Sequence, residues 1–139
     1  MSNVCSRAII FIDDDVILLF RHVNKNGQIK EYYAIPGGHQ EPDETIEDCC
    51  IREIKEEYGV EIKIIKYLGQ QDDVGRISHM YYAEIISGTP KLGGEELEHN
   101  NKDNYYEIQR ININDLDKYE ILESNKKYIR EAYALKGGK

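Results

Sequence analysis

Apolar residues come in short runs along the first third of the chain, a pattern typical of β-strands. The runs Val4 to Ile12 and Val16 to Phe20 flank the triplet Asp13-Asp14-Asp15, so we expect a hairpin with its turn at that triplet. The pair Asn26-Gly27 marks a second turn before an extended stretch from Ile29 to Ile35. The sequence therefore predicts that the chain begins with β structure.

The periodicity changes to that of a helix from Thr45 to Tyr58, where no Gly or Pro intervenes. Thr45 and Asp48 have the spacing of a capping box, and Gly59 is placed to end the helix. Three more strands and a closing helix are predicted, over Val60 to Leu68, Ile77 to Ile86, Tyr105 to Ile113 and Asn125 to Leu135. The polar stretch between Gly88 and Asn104 has no such pattern, and a loop of that length is usually functional or disordered. We expect one mixed α/β domain over residues 1–139.

The length of 139 residues suits one domain of common size and is too short for two with sizeable cores. The excess of 26 acidic over 18 basic residues gives a net charge of −8, which disfavours a polynucleotide partner. Most of this charge lies in one segment, 41–61, whose net charge is −7. Its nine carboxylates are Glu41, Asp43, Glu44, Glu47, Asp48, Glu53, Glu56, Glu57 and Glu61, against the two bases Arg52 and Lys55.

The N-terminus lacks the basic start and apolar core of a signal peptide, and no apolar run approaches the roughly 18 residues of a membrane helix. The three cysteines, Cys5, Cys49 and Cys50, have no metal-finger spacing and are expected to be reduced and buried. These features predict a cytoplasmic protein without a membrane partner. A homodimer is left open.

The helix combines an apolar face with an unusual set of carboxylates. On a helical wheel Ile46, Cys49, Cys50 and Ile54 share one side, and Asp48, Arg52 and Lys55 point away from it. Glu53 and Glu57 fall inside the apolar stripe and Glu56 falls at its margin. Buried like charges cost several kcal/mol unless cations compensate them, and oxygen ligands suit Mg²⁺ or Mn²⁺. The alternative is an acidic surface helix in which Arg52 and Lys55 form local ion pairs.

The residues around this helix resemble the Nudix box, G-x5-E-x7-R-E-U-x-E-E-x-G-U with U a bulky aliphatic residue. The match begins with Gly38-His39-Gln40-Glu41-Pro42-Asp43-Glu44 and continues seven residues later with Arg52-Glu53-Ile54-Lys55-Glu56-Glu57-Tyr58-Gly59-Val60. Every fixed position of the motif is present. The resemblance implies an α/β fold, an α/β/α sandwich with a central mixed β-sheet.

The resemblance also implies an activity and a metal site. Nudix enzymes hydrolyse a nucleoside diphosphate linked to another group, with Mg²⁺ or Mn²⁺ bound to carboxylates of the box. By carry-over, Glu53, Glu56 and Glu57 are the metal ligands and catalytic carboxylates, and Glu53 is a candidate for orienting or deprotonating the attacking water. Gly38 resembles the family's backbone-carbonyl ligand, whereas Glu44, Arg52 and Gly59 have structural roles in the box. Glu95, Glu96 and Glu98 lie in a later loop and are candidates for one further metal contact or the general base.

The substrate is less well determined by the sequence. Arg7, Arg21, His39 and Arg76 are candidate substrate-binding residues, and each has ordinary surface or loop placement as its alternative. Tyrosines such as Tyr33, Tyr81, Tyr82, Tyr105 and Tyr106 are candidates for stacking on a nucleobase, although tyrosine also favours strands. The markers of the ADP-ribose and dinucleoside-polyphosphate subgroups are absent near Gly75-Arg76-Ile77-Ser78.

By elimination we expect a nucleoside triphosphate as substrate, such as an oxidised purine of the 8-oxo-dGTP type, cleaved to the monophosphate and pyrophosphate. The alternatives are hydrolysis of ADP-ribose or another nucleotide sugar, and a non-catalytic Nudix module that senses a nucleotide. A calcium-binding protein is disfavoured, because the chain lacks a loop of alternating Asp and Asn ligands with a central Gly and a terminal Glu.

Overall fold

The computed structural model describes residues 3–73, 75–90 and 104–137. Its strands are β1 (Val4–Ile9), β2 (Phe11–Ile12), β3 (Asp15–Lys25), β4 (Gln28–Ala34), β5 (Gly37–His39), β6 (Glu61–Asp73), β7 (Arg76–Ser87) and β8 (Asn104–Asn112). The helices are α1 (Ile46–Tyr58) and α2 (Glu123–Leu135), with a 3₁₀ helix at Ile113–Lys118 between β8 and α2. None of these helices is long and apolar enough to cross a membrane.

The strands form two sheets. The first has the order β5-β1-β7-β6 and is mixed, because β1 runs parallel to β7 and the other neighbours are antiparallel. The second is antiparallel, with β3 between β4 and β8 and the short β2 paired to the start of β3. The chain passes from the second sheet at β4 to the first sheet at β5 just before it reaches the loop that precedes α1. The position of this loop therefore depends on both sheets.

The predicted N-terminal hairpin is present only in part. Phe11 pairs with Val16 and Ile12 with Asp15, but Val4–Ile9 lies in the other sheet, parallel to β7. The chain changes sheets near Ile10, whose carbonyl accepts a hydrogen bond of 2.9 Å from the Ile17 amide. Apolar runs indicate that both stretches are strands, but they do not indicate which partner each strand takes.

Helices cover the two opposite sides of the sheets. Ile54 and Tyr58 of α1 pack into one apolar cluster, and Ile129 of α2 packs into a second. Successive residues of β1 alternate between them, with Ala8 in the α1 cluster and Ile9 in the α2 cluster. This layering confirms the predicted α/β/α sandwich with a mixed β-sheet.

The ends of α1 follow the local sequence signals closely. The Thr45 hydroxyl accepts a hydrogen bond of 3.0 Å from the Asp48 amide, as a capping residue should. Gly59 has a left-handed φ of 73°, and its N–H donates to the Lys55 carbonyl at 2.9 Å. All three cysteines are buried and free, as predicted. The cap and the terminator thus fix where α1 begins and ends.

Candidate active site

An open cleft of about 820 Å³ lies between the loop before α1 and one side of that helix. Residues 37–44 form one wall, and Glu53 and Glu57 form the other. These two glutamates are the ones that the helical wheel places within the apolar stripe. The structure therefore brings both carboxylates to a cleft that a small molecule can enter.

Two consecutive glycines allow the loop to approach its neighbours closely. A Cβ atom at Gly38 would collide with the carboxylate of Glu53. At Gly37, which has a φ of 155°, a Cβ atom would collide with the backbone carbonyl of Ser6. The pair Gly37-Gly38 is thus required for close packing of the loop against both β1 and the carboxylate of α1.

Arg52 connects the loop to the helix. Its Nε and Nη2 donate to the two carboxylate oxygens of Glu44 at 2.6 and 3.0 Å, and Nη2 also donates to the His39 carbonyl at 3.1 Å. Its Nη1 donates to Glu53 at 2.8 Å and to Glu56 at 3.2 Å. The expectation that Arg52 points away from the core-facing side is therefore wrong, because the long side chain folds back and is only 23% exposed.

The guanidinium of Arg52 strongly stabilises the charged form of its first partner. Its hydrogen bonds lower the pKa of Glu44 to about 2, against a usual value of 4.5. Arg52 thus ties Glu44 of the loop to α1, and it makes a second connection to Glu56.

Glu57 has the opposite environment. Burial, with a further contribution from the charge of Glu53, raises its pKa to about 7, while the charge of Arg7 and a hydrogen bond from the Gly37 amide act in the other direction. Its Oε1 is buried and has no hydrogen-bond partner within the described part of the chain. A buried oxygen in this state indicates a partner of positive charge that the protein itself does not supply.

The residues at the cleft, together with the more exposed Glu56 beside them on α1, fit a hard divalent cation. Glu53, Glu56, Glu57 and the Gly38 carbonyl offer only oxygen donors, which suit Mg²⁺ or Mn²⁺ better than Zn²⁺. Within residues 3–73, 75–90 and 104–137, no three His, Cys, Asp or Glu side chains are arranged to hold a metal ion as they stand. In this structure the guanidinium of Arg52 binds the carboxylates of both Glu53 and Glu56. The donor set and the unpartnered oxygen of Glu57 support the fit.

The four candidate substrate-binding residues lie in different parts of the structure. His39 lines the cleft, with its Nδ1 3.5 Å from the Cys5 thiol. Arg7 lies in β1 and is half-buried, whereas Arg76 is exposed at the start of β7. Arg21 is half-buried in β3, and its Nε has no hydrogen-bond partner among the residues described. Glu95, Glu96 and Glu98 lie outside the described residues.

The tyrosines that are candidates for stacking on a nucleobase fall into two groups, one buried and one half-exposed. Tyr81 and Tyr82 are buried in the two apolar clusters, and Tyr106 packs against the α1 cluster. Tyr33 and Tyr105 instead belong to a half-exposed group of five rings, the aromatic row, made of Tyr119, Tyr33, Phe20, Tyr105 and His22.

Neighbouring rings of the aromatic row are separated by 4.7 to 6.3 Å, and His22 is stacked on Tyr105 with an interplanar angle of 13°. Phe20 and His22 were not among the predicted stacking residues. The available signal was their spacing of two within one strand, which places both rings on the same face. The aromatic row provides a surface of aromatic rings whose location could not be predicted from the sequence.

The family model for the NUDIX domain matches residues 4–132. The chain belongs to the Nudix family. Among its relatives is YtkD of Bacillus subtilis (strain 168), provisionally named as an 8-oxo-dGTP diphosphatase, which is 42% identical over 57 residues. Another is a protein named ADP-ribose pyrophosphatase from Methanocaldococcus jannaschii, 36% identical over 91 residues.

These alignments cover 38% and 61% of this chain, respectively. They span 36% and 53% of the relatives' own lengths, about half or less. Among solved structures, a hydrolase of the NUDIX family from Clostridium perfringens has a TM-score of 0.71 at 22% identity, covering 95% of this chain and 96% of that chain. This likeness establishes the fold.

Proposed function

We propose that the protein is a divalent-metal-dependent hydrolase of a phosphoanhydride bond in a nucleoside diphosphate linked to another group. One observation carries the proposal: Glu57 has a buried, unpartnered oxygen in an open cleft beside Glu53, within a complete Nudix box. In this proposal Glu53, Glu56, Glu57 and the Gly38 carbonyl hold Mg²⁺ or Mn²⁺. A solvated acidic helix would not need to bury such a carboxylate.

The roles of the protein groups follow from their positions. In this proposal Glu53 orients the attacking water and accepts its proton, which is supported by its position at the cleft, where Arg52 holds it by a hydrogen bond of 2.8 Å. Water adds to phosphorus, and the bond from that phosphorus to the bridging oxygen breaks. Gly37 and Gly38 leave room for phosphate oxygens near the backbone. Bound Mg²⁺ or Mn²⁺ supplies the positive charge that offsets the carboxylates and the phosphates.

For the substrate, we propose a nucleoside triphosphate, an oxidised purine of the 8-oxo-dGTP type, cleaved to the monophosphate and pyrophosphate. The name of YtkD supports this class, and the half-exposed aromatic row offers a surface on which a purine could stack. ADP-ribose is the second candidate, supported by the name of the Methanocaldococcus jannaschii relative. A location in the cytoplasm agrees with the free, buried cysteines.

The test is a screen for phosphate or pyrophosphate release from nucleoside triphosphates, nucleotide sugars, ADP-ribose and dinucleoside polyphosphates. Each substrate is assayed with Mg²⁺, with Mn²⁺ and with a chelator. We expect turnover that requires a divalent metal and is highest for one class. Tight binding of one compound without metal and without turnover would favour a nucleotide-sensing module instead.

Substitutions then test the assigned carboxylates. Glu53→Gln and Glu57→Gln should each lower kcat by about two orders of magnitude or more. Glu131→Gln, an exposed glutamate of α2, is the matched control and should leave kcat unchanged. Turnover like that of the wild type in Glu57→Gln would refute the metal-site assignment.

The three loop glutamates need their own comparison. If this loop contributes one metal contact or the general base, replacing Glu95, Glu96 and Glu98 in turn by Gln should impair kcat strongly at one position only. Equal, small effects at all three positions would instead indicate a solvated acidic loop.

A further inference from the structure

Arg7 of β1 makes two hydrogen bonds that join three parts of the fold. Its Nη1 donates to the backbone carbonyl of Ile35, in the connection between β4 and β5, at 2.9 Å. Its Nε donates at 3.3 Å to the hydroxyl of Ser78, a buried residue of β7. The half-buried side chain therefore links the β4–β5 connection to the centre of the mixed sheet.

This connection is the segment that leads directly into the paired glycines of the cleft. Its next residue, Pro36, accepts a hydrogen bond of 3.0 Å from the Ala8 amide, and Arg7 lies opposite Gly37 in the pairing of β1 with β5. Gly37 approaches β1 so closely that a Cβ atom there would also meet the Cα and Cγ atoms of Arg7. The backbone and side chain of Arg7 thus fix the position of the chain at the glycine pair Gly37-Gly38, which we call the glycine turn.

The glycine pair Gly37-Gly38 also lies next to the carboxylates of Glu53 and Glu57. Gly37 and Glu57 line the same cleft, and Gly38 lies directly against the carboxylate of Glu53. A shift of the glycine turn would therefore change the surroundings of the carboxylates of Glu53 and Glu57 at the same time. Mutation of the groups that orient metal ligands typically lowers metal affinity or activity by about 10- to 100-fold.

We propose that Arg7 is a positioning residue, which holds the β4–β5 connection so that Gly37 and Gly38 set the places of Glu57 and Glu53 for metal binding. This inference rests on the proposed function, because it takes these carboxylates as metal ligands. It differs from the substrate-binding role that the sequence suggested for Arg7. An arginine is required because its planar fork donates in two directions at once, to a carbonyl and to a hydroxyl, whereas lysine presents one compact ammonium group.

The test measures binding of Mn²⁺ alone, without nucleotide, by calorimetry or water-proton relaxation. Arg7→Lys keeps the positive charge near Glu57 but replaces two separate donor nitrogens, Nε and Nη1, by a single one, so it tests the effect of geometry. We expect its Mn²⁺ affinity to fall about tenfold, with a smaller fall for Ser78→Ala. The matched control is Arg110→Lys, since Arg110 likewise bonds a backbone carbonyl and a side chain, Ile12 and Asp15, away from the cleft. Its Mn²⁺ affinity should be unchanged.

The outcomes separate this inference from the function beneath it. If wild type binds Mn²⁺ and Arg7→Lys binds it equally well but has a raised KM for nucleotide, Arg7 contacts substrate and the inference is wrong. If Arg7→Lys does not fold, Ser78→Ala decides, and unchanged Mn²⁺ affinity in that variant overturns the inference. If wild type binds no Mn²⁺, the proposed function fails and this inference fails with it.

Discussion

Replacing Glu57 by Gln should stabilise the protein when no divalent metal is bound. The pKa of Glu57 rises from a usual value of 4.5 to about 7, first because the carboxylate is buried and then because of the charge of Glu53. A tenfold change in proton affinity corresponds to about 1.4 kcal/mol, so keeping Glu57 ionised at pH 8 costs the folded state about 3 kcal/mol. Glutamine has nearly the same shape and carries no charge. We therefore expect Glu57→Gln to gain about 3 kcal/mol in free energy of unfolding at pH 8.

The gain should depend on pH in a defined way. Below pH 4.5 Glu57 is protonated in both the folded and the unfolded state, so wild type keeps its full stability and the variant has no advantage. Between pH 4.5 and about 7 the unfolded state ionises first, and wild type loses stability as the pH rises. Above about pH 7 both states are ionised and the difference becomes constant.

The assay is urea denaturation of both proteins with a chelator at pH 4.5 and pH 8, and then at pH 8 with Mg²⁺. Mg²⁺ should raise the stability of wild type, because a ligand that binds only the folded state stabilises it, and should raise that of Glu57→Gln less. Glu131→Gln provides the control for a surface charge, and its stability should follow that of wild type in all three conditions.

Two results would refute this reasoning. If Glu57→Gln is no more stable than wild type at pH 8 with chelator, the carboxylate is not held in an unfavourable environment. If the variant is more stable by the same amount at pH 4.5, the gain comes from packing and has nothing to do with the charge.

Two further predictions concern the surroundings of the same cleft, and a third concerns the aromatic row. Gly38→Ala should abolish Mn²⁺ binding in calorimetry, because the added Cβ would collide with the Glu53 carboxylate. Glu44→Gln should lose about 2 kcal/mol in urea denaturation at pH 7, since it weakens two charged hydrogen bonds with Arg52. Because the pKa of Glu44 is lowered to about 2, this deficit should shrink as the pH falls from 4.5 towards 2. Tyr105→Leu should raise the KM for a purine nucleotide without lowering kcat, as measured by steady-state kinetics.

The sequence was sufficient where structure depends on neighbouring residues. The limits of α1 could be predicted because a capping threonine and a terminating glycine act within one turn of the helix. The pairing of β1 with β7 and the short strand β5 could not, because they depend on contacts between distant segments. The aromatic row was missed for the same reason, since the register of β3 with β4 and β8 brings its rings together.

At the candidate site, the sequence indicated which residues are involved more reliably than it indicated where their side chains point. The wheel placed Glu53 and Glu57 correctly on the inward side, because Cβ direction decides where a short side chain lies. It failed for Arg52, whose long side chain folds back to reach Glu44. For Arg7, the charge suggested an anion ligand, but the strand placed its guanidinium beside the Ile35 carbonyl and the Ser78 hydroxyl.

The two arginines explain how the protein can fold around its acidic segment before any metal is bound. Arg52 compensates Glu44, Glu53 and Glu56 directly, whereas Arg7 acts on Glu57 only through its charge at a distance. A divalent ion that uses Glu53 and Glu56 must therefore compete with Arg52, which its two partly buried hydrogen bonds to Glu44 would retain nearby. Within the part of the chain that the structure describes, Glu57 Oε1 accepts a hydrogen bond from neither guanidinium. We infer that Glu57 gains most from a bound cation, so its substitution should show the largest change in the response of stability to Mg²⁺.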